Sequence, residues 1–249
     1  MAVIWDKTID KVRYEVRTAG ASVRLYTNGA FHSQYNPTTL FSGGVWDLLT
    51  LPTLICNNPP ARLLLLGVGG GTALHQCRYL FPATTLTGVE LNPVHLQLAR
   101  RFFSCQAPDF DLTEADAVAW IRQQRQTWQV IIDDLFLHNE ADAEADPVRS
   151  TGQRTAWIRS LRRRLTSDGL LVQNYLSAEE ARSLADNALC RETFASCVLF
   201  ETPTYANCIA ALYRQPQDYK ESLQRLNQRI ALVPGKMRRK LRFACQPLW

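Results

Sequence analysis

A glycine-rich turn followed by an acid is the part of the sequence best suited to binding a nucleoside. The apolar run at residues 63–66 leads into Gly67, Gly69 and Gly71, and Glu90 follows about twenty residues later. Glycines after a buried strand let the backbone turn sharply and approach a ligand, and the free N–H groups of the next helix attract a polar or negative group. An acid at the end of the following strand is placed to accept hydrogen bonds from ribose hydroxyls. Because Thr72 replaces the third glycine of a GxGxxG turn, the spacing favours a nucleoside with an amino-acid tail over a dinucleotide.

A second acid belongs to the same predicted site. Asp116 precedes the small residue Ala117, so its carboxylate is suited to accept the amino group of an adenine while Ala117 leaves room for the ring. An aspartate in front of a helix is also a good N-cap, and both interpretations stay open.

An acceptor site is expected where two later strands end. We expect it to be lined by Asp134 and His138 after the fourth strand, and by Asn174 or Tyr175 at the end of the fifth. Asp134 and His138 are the candidate catalytic residues, since histidine is the side chain that ordinarily titrates near neutral pH. A histidine here is also compatible with a plain surface or core position. The acidic segment 140–146 would either attract a cation or form a solvated loop.

The elements that position these residues alternate between strands and helices from residue 62 onward. Buried strands are predicted near residues 63–66, 85–89, 110–112, 130–132 and 170–173, with helices between them. This succession predicts an α/β, doubly wound, Rossmann-like fold with a mostly parallel sheet and an antiparallel last strand. Alternating residues and tight turns before residue 40 predict a small N-terminal β unit. The expected divisions are a β-hairpin unit at 1–43, a ligand-binding domain at 44–233 and a basic C-terminal tail at 234–249.

Length, charge and cysteine usage narrow the class of protein further. The 249 residues suit one large domain with a small appendage, and the net charge of +5 is mild. Seven scattered cysteines without a CxxC pair predict reduced, buried thiols, and the four dispersed histidines predict no metal site. We expect a cytoplasmic protein that neither crosses a membrane nor binds nucleic acid, although the tail MRRKLR is basic. An unpaired edge in the N-terminal unit would suit a homodimer.

The sequence resembles the spermidine synthase-like branch of class I S-adenosylmethionine-dependent transferases. Four motifs carry the resemblance: RLLLLGVGGGTAL, the segment Val89-Glu90-Leu91-Asn92-Pro93, the segment Glu114-Ala115-Asp116-Ala117, and WQVIIDD at residues 128–134. The resemblance implies that Gly67, Gly69 and Gly71 cradle the methionine part, Glu90 the ribose and Asp116 the adenine, and that Asp134 faces the sulfonium. This sequence departs from the polyamine synthases at Leu137, which stands where their motif DSSDP has its second aspartate.

This departure shapes the functional prediction. An amine acceptor must lose a proton before it attacks, and Leu137 can neither bind a cation nor act as a base. Methyl transfer from S-adenosylmethionine to an unidentified small-molecule acceptor is therefore the favoured hypothesis. The alternatives are an aminopropyltransferase that uses decarboxylated S-adenosylmethionine with a cationic acceptor, and a non-catalytic nucleoside-binding module.

Overall fold

The computed structural model of the chain describes residues 1–137, 148–149 and 155–249. A four-stranded antiparallel sheet comes first in the chain, in the spatial order β1 (Ala2–Ile9), β2 (Val12–Ala19), β3 (Ser22–Thr27), β4 (Ala30–Tyr35). Most residues of β1 are exposed, whereas Tyr14, Val16 and Leu25 of the two middle strands reach the core. The predicted N-terminal β unit is therefore present, with one more strand than its alternating pattern predicted.

The remaining described strands form one large sheet and one short hairpin. They are β5 (Arg62–Leu66), β6 (Thr85–Glu90), β7 (Asp111–Glu114), β8 (Trp128–Asp133), β9 (Phe136–Leu137), β10 (Val148–Arg149), β11 (Leu165–Tyr175), β12 (Ser196–Thr202), β13 (Tyr205–Tyr213) and β14 (Ala244–Pro247). The large sheet has the order β14-β12-β13-β11-β8-β5-β6-β7, and β9 pairs with β10. The five strands from β11 to β7 are parallel, and β13, β12 and β14 continue the sheet with antiparallel pairing. The predicted mostly parallel, Rossmann-like sheet is confirmed.

Helices cover both faces of this sheet. They are α1 (Val45–Thr50), α2 (Thr72–Leu80), α3 (Pro93–Phe102), α4 (Ala117–Gln123), α5 (Thr155–Arg162), α6 (Ala178–Arg182), α7 (Ala188–Thr193), α8 (Tyr219–Ala231) and α9 (Gly235–Arg238), with 3-10 turns at Leu51–Ile55 and Ser183–Asp186. Along β5, Leu63 and Leu65 pack into one core cluster while Leu64 and Leu66 pack into the other. Neighbouring side chains of a strand point to opposite faces, so this continuous apolar run is buried between two helical layers.

The basic C-terminal segment 234–249 is placed partly within the large sheet. Strand β14 pairs with β12, and the Cys197 N–H donates to the Trp249 carbonyl oxygen at 3.0 Å. Trp249 and Leu248 pack against the core cluster beneath α5 and α7. None of the helices in the described ranges has the length and apolar character needed to cross a lipid bilayer.

The seven cysteines are free thiols, as predicted. Five are buried and two are half-buried. Burial raises the pKa of Cys77 and Cys105 to about 12, which keeps these thiols protonated and unreactive at neutral pH.

Candidate ligand-binding site

The main cavity lies where the strand order of the large sheet reverses direction. Chain order runs outward from β5 through β6 to β7 on one side, and through β8 to β11 on the other. Connections leave the sheet on opposite faces at such a switch point, so a crevice opens beyond the carboxyl ends of the strands. A cavity of about 780 Å³ occupies this place and includes residues that follow β5, β6, β7 and β8. Its volume suits a ligand of nucleoside size.

The glycine turn forms the floor of the cavity. Gly67 and Gly69 line it and have φ angles of 85° and 53°, in the left-handed region that a side chain disfavours. A Cβ at Gly67 would collide with the carbonyl oxygen of Asp134, and one at Gly69 would lie 2.8 Å from the Ser33 hydroxyl. These two glycines let the turn pass close to the neighbouring strand end and to the N-terminal unit. Gly71, the third predicted glycine, caps α2 against Cys105 and is not among the residues that line the cavity.

Glu90 joins the ends of the first two parallel strands. Its Oε2 accepts the N–H groups of Val68 at 3.0 Å and Gly69 at 2.9 Å, and its Oε1 accepts the Asn92 N–H at 3.0 Å. A carboxylate has about four lone-pair positions, so three of them serve the protein and one is left for a ligand hydroxyl. Glu90 therefore lines the cavity as predicted and also fixes the shape of the glycine turn.

Asp116 and Ala117 lie at the side of the cavity where α4 begins. The Asp116 Oδ1 accepts the Val118 N–H at 2.9 Å, so this residue is the N-cap of the helix. Asp116 is nevertheless exposed to the cavity, which Ala117 also lines. Both interpretations of this residue from the sequence are compatible with the structure, because one carboxylate oxygen serves as the cap and the other is available to a ligand.

A chain of polar side chains forms the opposite end of the cavity. Asn174 donates to Asp134 Oδ1 at 2.8 Å, and Asn207 donates to the Asn174 side-chain oxygen at 3.0 Å. All three residues line the cavity, together with the apolar side chains of Leu135 and Phe136. The amide of Asn174 fixes the Asp134 carboxylate at the end of β8. The sequence analysis did not predict Asn207, because its strand β13 comes late in the chain and joins the sheet by antiparallel pairing with β11.

Tyr175, the alternative acceptor residue predicted on β11, does not line the cavity. Tyr175 is fully buried on the other face of β11, where its hydroxyl donates to the side-chain oxygen of Gln173 at 3.0 Å. Side chains alternate along a strand, so Asn174 and Tyr175 cannot both face the cavity. Of the two alternatives, Asn174 therefore faces the cavity and Tyr175 does not, and the role of Asn174 in binding an acceptor stays a prediction. His138 and the acidic segment 140–146 lie outside the described residues.

The N-terminal sheet supplies a wall that the sequence analysis did not predict. Tyr14, Thr27, Phe31 and His32 line the cavity, as does Trp46 of α1. This sheet is held on the glycine turn by two contacts: the Gly70 N–H donates to the Ser33 hydroxyl at 2.7 Å, and the Thr72 hydroxyl donates to the Gln34 carbonyl at 3.0 Å. Such contacts join distant parts of the chain and have no local sequence signature.

Two histidines meet beside Glu90. The rings of His32 and His95 have centroids 4.9 Å apart, and the Thr27 hydroxyl lies 2.8 Å from His95 Nε2. His95 Nδ1 is 3.9 Å from Glu90 Oε2. His95 belongs to the first turn of α3, whose N-cap Asn92 accepts the Val94 and His95 N–H groups. This cap places His95 next to Glu90, the residue predicted to bind a ribose.

The charge of the cavity is negative on its described walls. Glu90, Asp116 and Asp134 contribute carboxylates, and these walls include no lysine or arginine. Among the described residues, no group of three His, Cys, Asp or Glu side chains is arranged to hold a metal ion.

Two sequence relatives share the name polyamine aminopropyltransferase. The chain is 27% identical over 123 residues to the one from Neisseria meningitidis, which is 49% of this chain and 44% of the relative. It is 28% identical over 159 residues to the one from Vibrio vulnificus, which is 62% of this chain and 50% of the relative. The match thus spans half or less of each relative's length. No protein-family model matches the chain.

Solved structures show the same fold over nearly the whole chain. A probable spermidine synthase from Corynebacterium glutamicum superimposes with a TM-score of 0.73 at 17% identity, covering 99% of this chain and 90% of that one. Human methyltransferase-like protein 13 in complex with SAH superimposes with a TM-score of 0.62 at 18% identity, covering 77% of this chain and 94% of that one. The chain therefore has the fold of these spermidine synthase and methyltransferase structures, and its sequence is similar to those of polyamine aminopropyltransferases.

Proposed function

We propose that the chain transfers a 3-aminopropyl group from decarboxylated S-adenosylmethionine to an amine and releases methylthioadenosine. The observation that carries this proposal is the charge of the cavity, where Glu90, Asp116 and Asp134 face the ligand space and the described lining has no lysine or arginine. S-adenosylmethionine brings a carboxylate that would need a cation or several N–H donors. The decarboxylated donor carries positive charge on both its sulfonium and its amine, and three carboxylates favour it. The names of the relatives point the same way.

The cavity residues fit such a donor one part at a time. The remaining lone pair of Glu90 would accept a ribose hydroxyl, Asp116 would accept the adenine amino group beside Ala117, and the turn at Gly67 and Gly69 would pass along the propyl arm. When bound, the donor supplies a carbon already activated by its sulfonium. The task of the chain is therefore to align the acceptor and to exclude water.

Asp134 is the residue proposed to act on the acceptor. The acceptor nitrogen forms a bond to the propyl carbon next to sulfur while the bond between that carbon and sulfur breaks, and the sulfur keeps the electron pair as a thioether. The nitrogen releases one proton, which Asp134 accepts or passes to water. Asn174 orients the carboxylate for this step through its hydrogen bond to Oδ1. His138 keeps its predicted role as a second candidate for the proton.

Methyl transfer is the second candidate, because the acceptor end is partly apolar. Leu135 and Phe136 line the cavity next to Asp134, and no other carboxylate of the described lining lies on that side. A nucleophile that needs no base would suit this end, which agrees with the preference for methyl transfer that Leu137 supports. The relatives' names do not support that preference.

Calorimetry and a product assay together test the proposal. We expect decarboxylated S-adenosylmethionine to bind at least about tenfold more tightly than the carboxylated form, a difference of about 1.4 kcal/mol. Incubation with putrescine should then release methylthioadenosine. Asp134→Asn should slow this release by about a hundredfold or more and change donor binding less. Asp111→Asn, an exposed acid on β7, is the matched control and should change neither.

Three outcomes would contradict the proposal. Tighter binding of S-adenosylmethionine with release of SAH would assign methyl transfer. Donor binding without either product, across an acceptor screen, would assign a binding module. No binding of either donor or of methylthioadenosine would remove the nucleoside site altogether.

A further inference from the structure

A second cavity, beside the first, carries the opposite charge. Its volume is about 650 Å³, and we call it the basic groove, after the lining residues Arg24, Lys236, Arg239, Lys240 and Arg242. Its described lining contains no aspartate or glutamate, and none of the five cations pairs with a carboxylate of the described residues. Five positive charges around one concavity repel each other, so an anion inside the groove would be attracted by all of them. The proposed transfer reaction uses none of these residues.

Packing fixes the C-terminal wall of the groove. Gly43 has a φ of 79°, and a Cβ there would lie 3.0 Å from the Lys240 carbonyl oxygen, so the two backbones are in close contact. Leu241 and Phe243 are half-buried against the core, and the Phe243 ring lies 6.2 Å from that of Phe200. Lys240 and Arg242 are exposed on either side of the half-buried Leu241. The basic cluster of the tail is thus held as part of a wall.

Hydrogen-bond donors on the other walls suit the oxygens of a phosphate. The Arg24 Nε donates to the Gln34 side chain at 2.7 Å, and its guanidinium lies 5.6 Å from the Phe31 ring. A guanidinium held in this way loses less side-chain entropy when it binds an oxyanion in a bidentate manner. The hydroxyl-bearing residues Ser42 and Thr204 also line the groove.

We propose that the basic groove binds the phosphate group of a small molecule. The volume lies within the range of small-ligand sites, roughly 300 to 1,000 Å³. Phe31, Trp46 and Tyr205 line both cavities, so aromatic surface is available to the rest of such a ligand at the mouth of the main cavity. A nucleic-acid strand would need a longer basic stripe than one concavity provides. The ligand of the groove therefore differs in charge from the cationic donor of the main cavity.

Calorimetric titration with inorganic pyrophosphate tests the proposal on the full chain. The triple variant Lys236→Gln, Arg239→Gln, Lys240→Gln should bind pyrophosphate at least about tenfold more weakly than the unmodified chain. The matched control is Arg122→Gln, Arg125→Gln, Arg163→Gln, which removes the same charge from exposed positions outside the groove and should bind as the unmodified chain does. Equal weakening in both variants, or no binding by the unmodified chain, would overturn the proposal.

Two further titrations identify the class of anion. Citrate should bind more weakly than pyrophosphate, and tighter citrate binding would overturn the assignment to phosphate. If a single-stranded oligonucleotide binds through the three cations while pyrophosphate does not bind, the groove is a nucleic-acid surface and the proposal is overturned as well. Methylthioadenosine should bind both triple variants equally. If methylthioadenosine does not bind the unmodified chain, this result contradicts the proposed transfer reaction and does not affect the proposal for the basic groove.

Discussion

At the scale of single residues, Glu90 and Asp116 each have a role in the fold besides the ligand contact proposed for them. Glu90 holds the N–H groups of Val68, Gly69 and Asn92, and Asp116 holds that of Val118. Such double use makes alanine substitutions hard to interpret, because they would remove a cap or a turn contact together with the ligand contact. A substitution that keeps the structural contact and changes only the ligand contact is more informative.

Asp116→Asn is such a substitution. Asparagine caps helices as well as aspartate does, so α4 should keep its stability. The amide nitrogen would replace the oxygen offered to the adenine amino group, and two donors would then oppose each other. We expect methylthioadenosine to bind about tenfold more weakly, since a hydrogen bond to a charged group contributes about 1.5 to 3 kcal/mol. Calorimetry and the midpoint of thermal unfolding measure the two effects separately.

The matched control for this prediction is Asp218→Asn. Asp218 caps α8 through the same kind of hydrogen bond, to the Glu221 N–H at 2.8 Å, and does not line the cavity. Both variants should unfold at the temperature of the unmodified chain. Equal binding of methylthioadenosine by both would show that Asp116 is a helix cap alone.

The cavity residues that could be predicted are those next to strand ends. Gly67, Glu90, Asp116 and Asp134 each lie at or just after the end of a strand, and parallel strands bring their carboxyl ends to one edge of the sheet. His32 and Asn207 could not be predicted in the same way, because they reach the cavity through the docking of a separate sheet and through late antiparallel pairing. For Tyr175, the sequence located the end of the strand but did not determine which of two adjacent side chains faces the cavity.

At the scale of elements, the start of α1 depends on a buried acid. Asp47 is 2% exposed, and its carboxylate accepts the Gly43 N–H at 2.7 Å and the Gln76 amide at 2.6 Å. Ser42 also donates to it, so the turn before the helix is held from three donors. Burial raises the pKa of Asp47 from 3.8 to about 7, against the opposing effect of these donors. Trp46 directly follows this turn and lines both the main cavity and the basic groove, so the turn lies between the two.

The raised pKa predicts a pH dependence of stability with a definite sign. Between about pH 4 and pH 7 the folded chain keeps a proton on Asp47 that the unfolded chain has lost, so the free energy of unfolding decreases as the pH rises through this window. The loss is on the order of 4 kcal/mol by the usual conversion of a pKa difference into free energy. Asp47→Asn should remove this contribution and flatten the dependence. Urea unfolding at pH 5 and pH 8 measures the part of this loss that falls between these two values, about 3 kcal/mol.

Asp186→Asn is the control for the loss of charge. Asp186 is exposed, and its substitution should leave the difference in stability between the two pH values as it is in the unmodified chain. An Asp47→Asn variant with that same difference would show that another group is responsible for the pH dependence.

Element boundaries were harder to predict than the elements themselves. The sequence predicts a helix over 153–165, and in the structure α5 ends at Arg162 because β11 begins at Leu165 and pairs there with Trp128. The sequence predicts a single helix over about 178–190, which the structure divides into α6, a 3-10 turn and α7, whose cap Asn187 accepts the Cys190 N–H. Strand β1 has almost no buried face and therefore lacked the alternation by which β2 and β3 were predicted.

At the scale of the whole molecule, two cavities of opposite charge share one aromatic boundary. The main cavity follows from the sheet, since its position is set by the reversal of strand order at β5 and β8. The basic groove follows from the return of the C-terminal segment to the N-terminal sheet, after α8 and α9. The basic groove depends on the last residues of the chain being docked on the large sheet, which makes that docking the feature to test.

Trp249→Ala tests whether residues 244–249 contribute to the stability of the whole domain. The indole N–H donates to the Phe194 carbonyl at 3.1 Å, the ring packs on the core cluster, and the Arg191 guanidinium lies 5.1 Å from it. The side chain is only partly buried, so we expect the free energy of unfolding to fall by roughly 2 to 3 kcal/mol, below the 3 to 5 typical of a fully buried aromatic. Leu232→Ala is the apolar control, because Leu232 is 84% exposed and should tolerate truncation. A basic tail independent of the domain would instead leave the unfolding of both variants unchanged, as followed by urea titration. In that case the wall of the basic groove would have no anchor either. Pyrophosphate titration of Trp249→Ala is the second measurement: weaker binding than by the unmodified chain indicates a docked segment, and unchanged binding indicates a loose one.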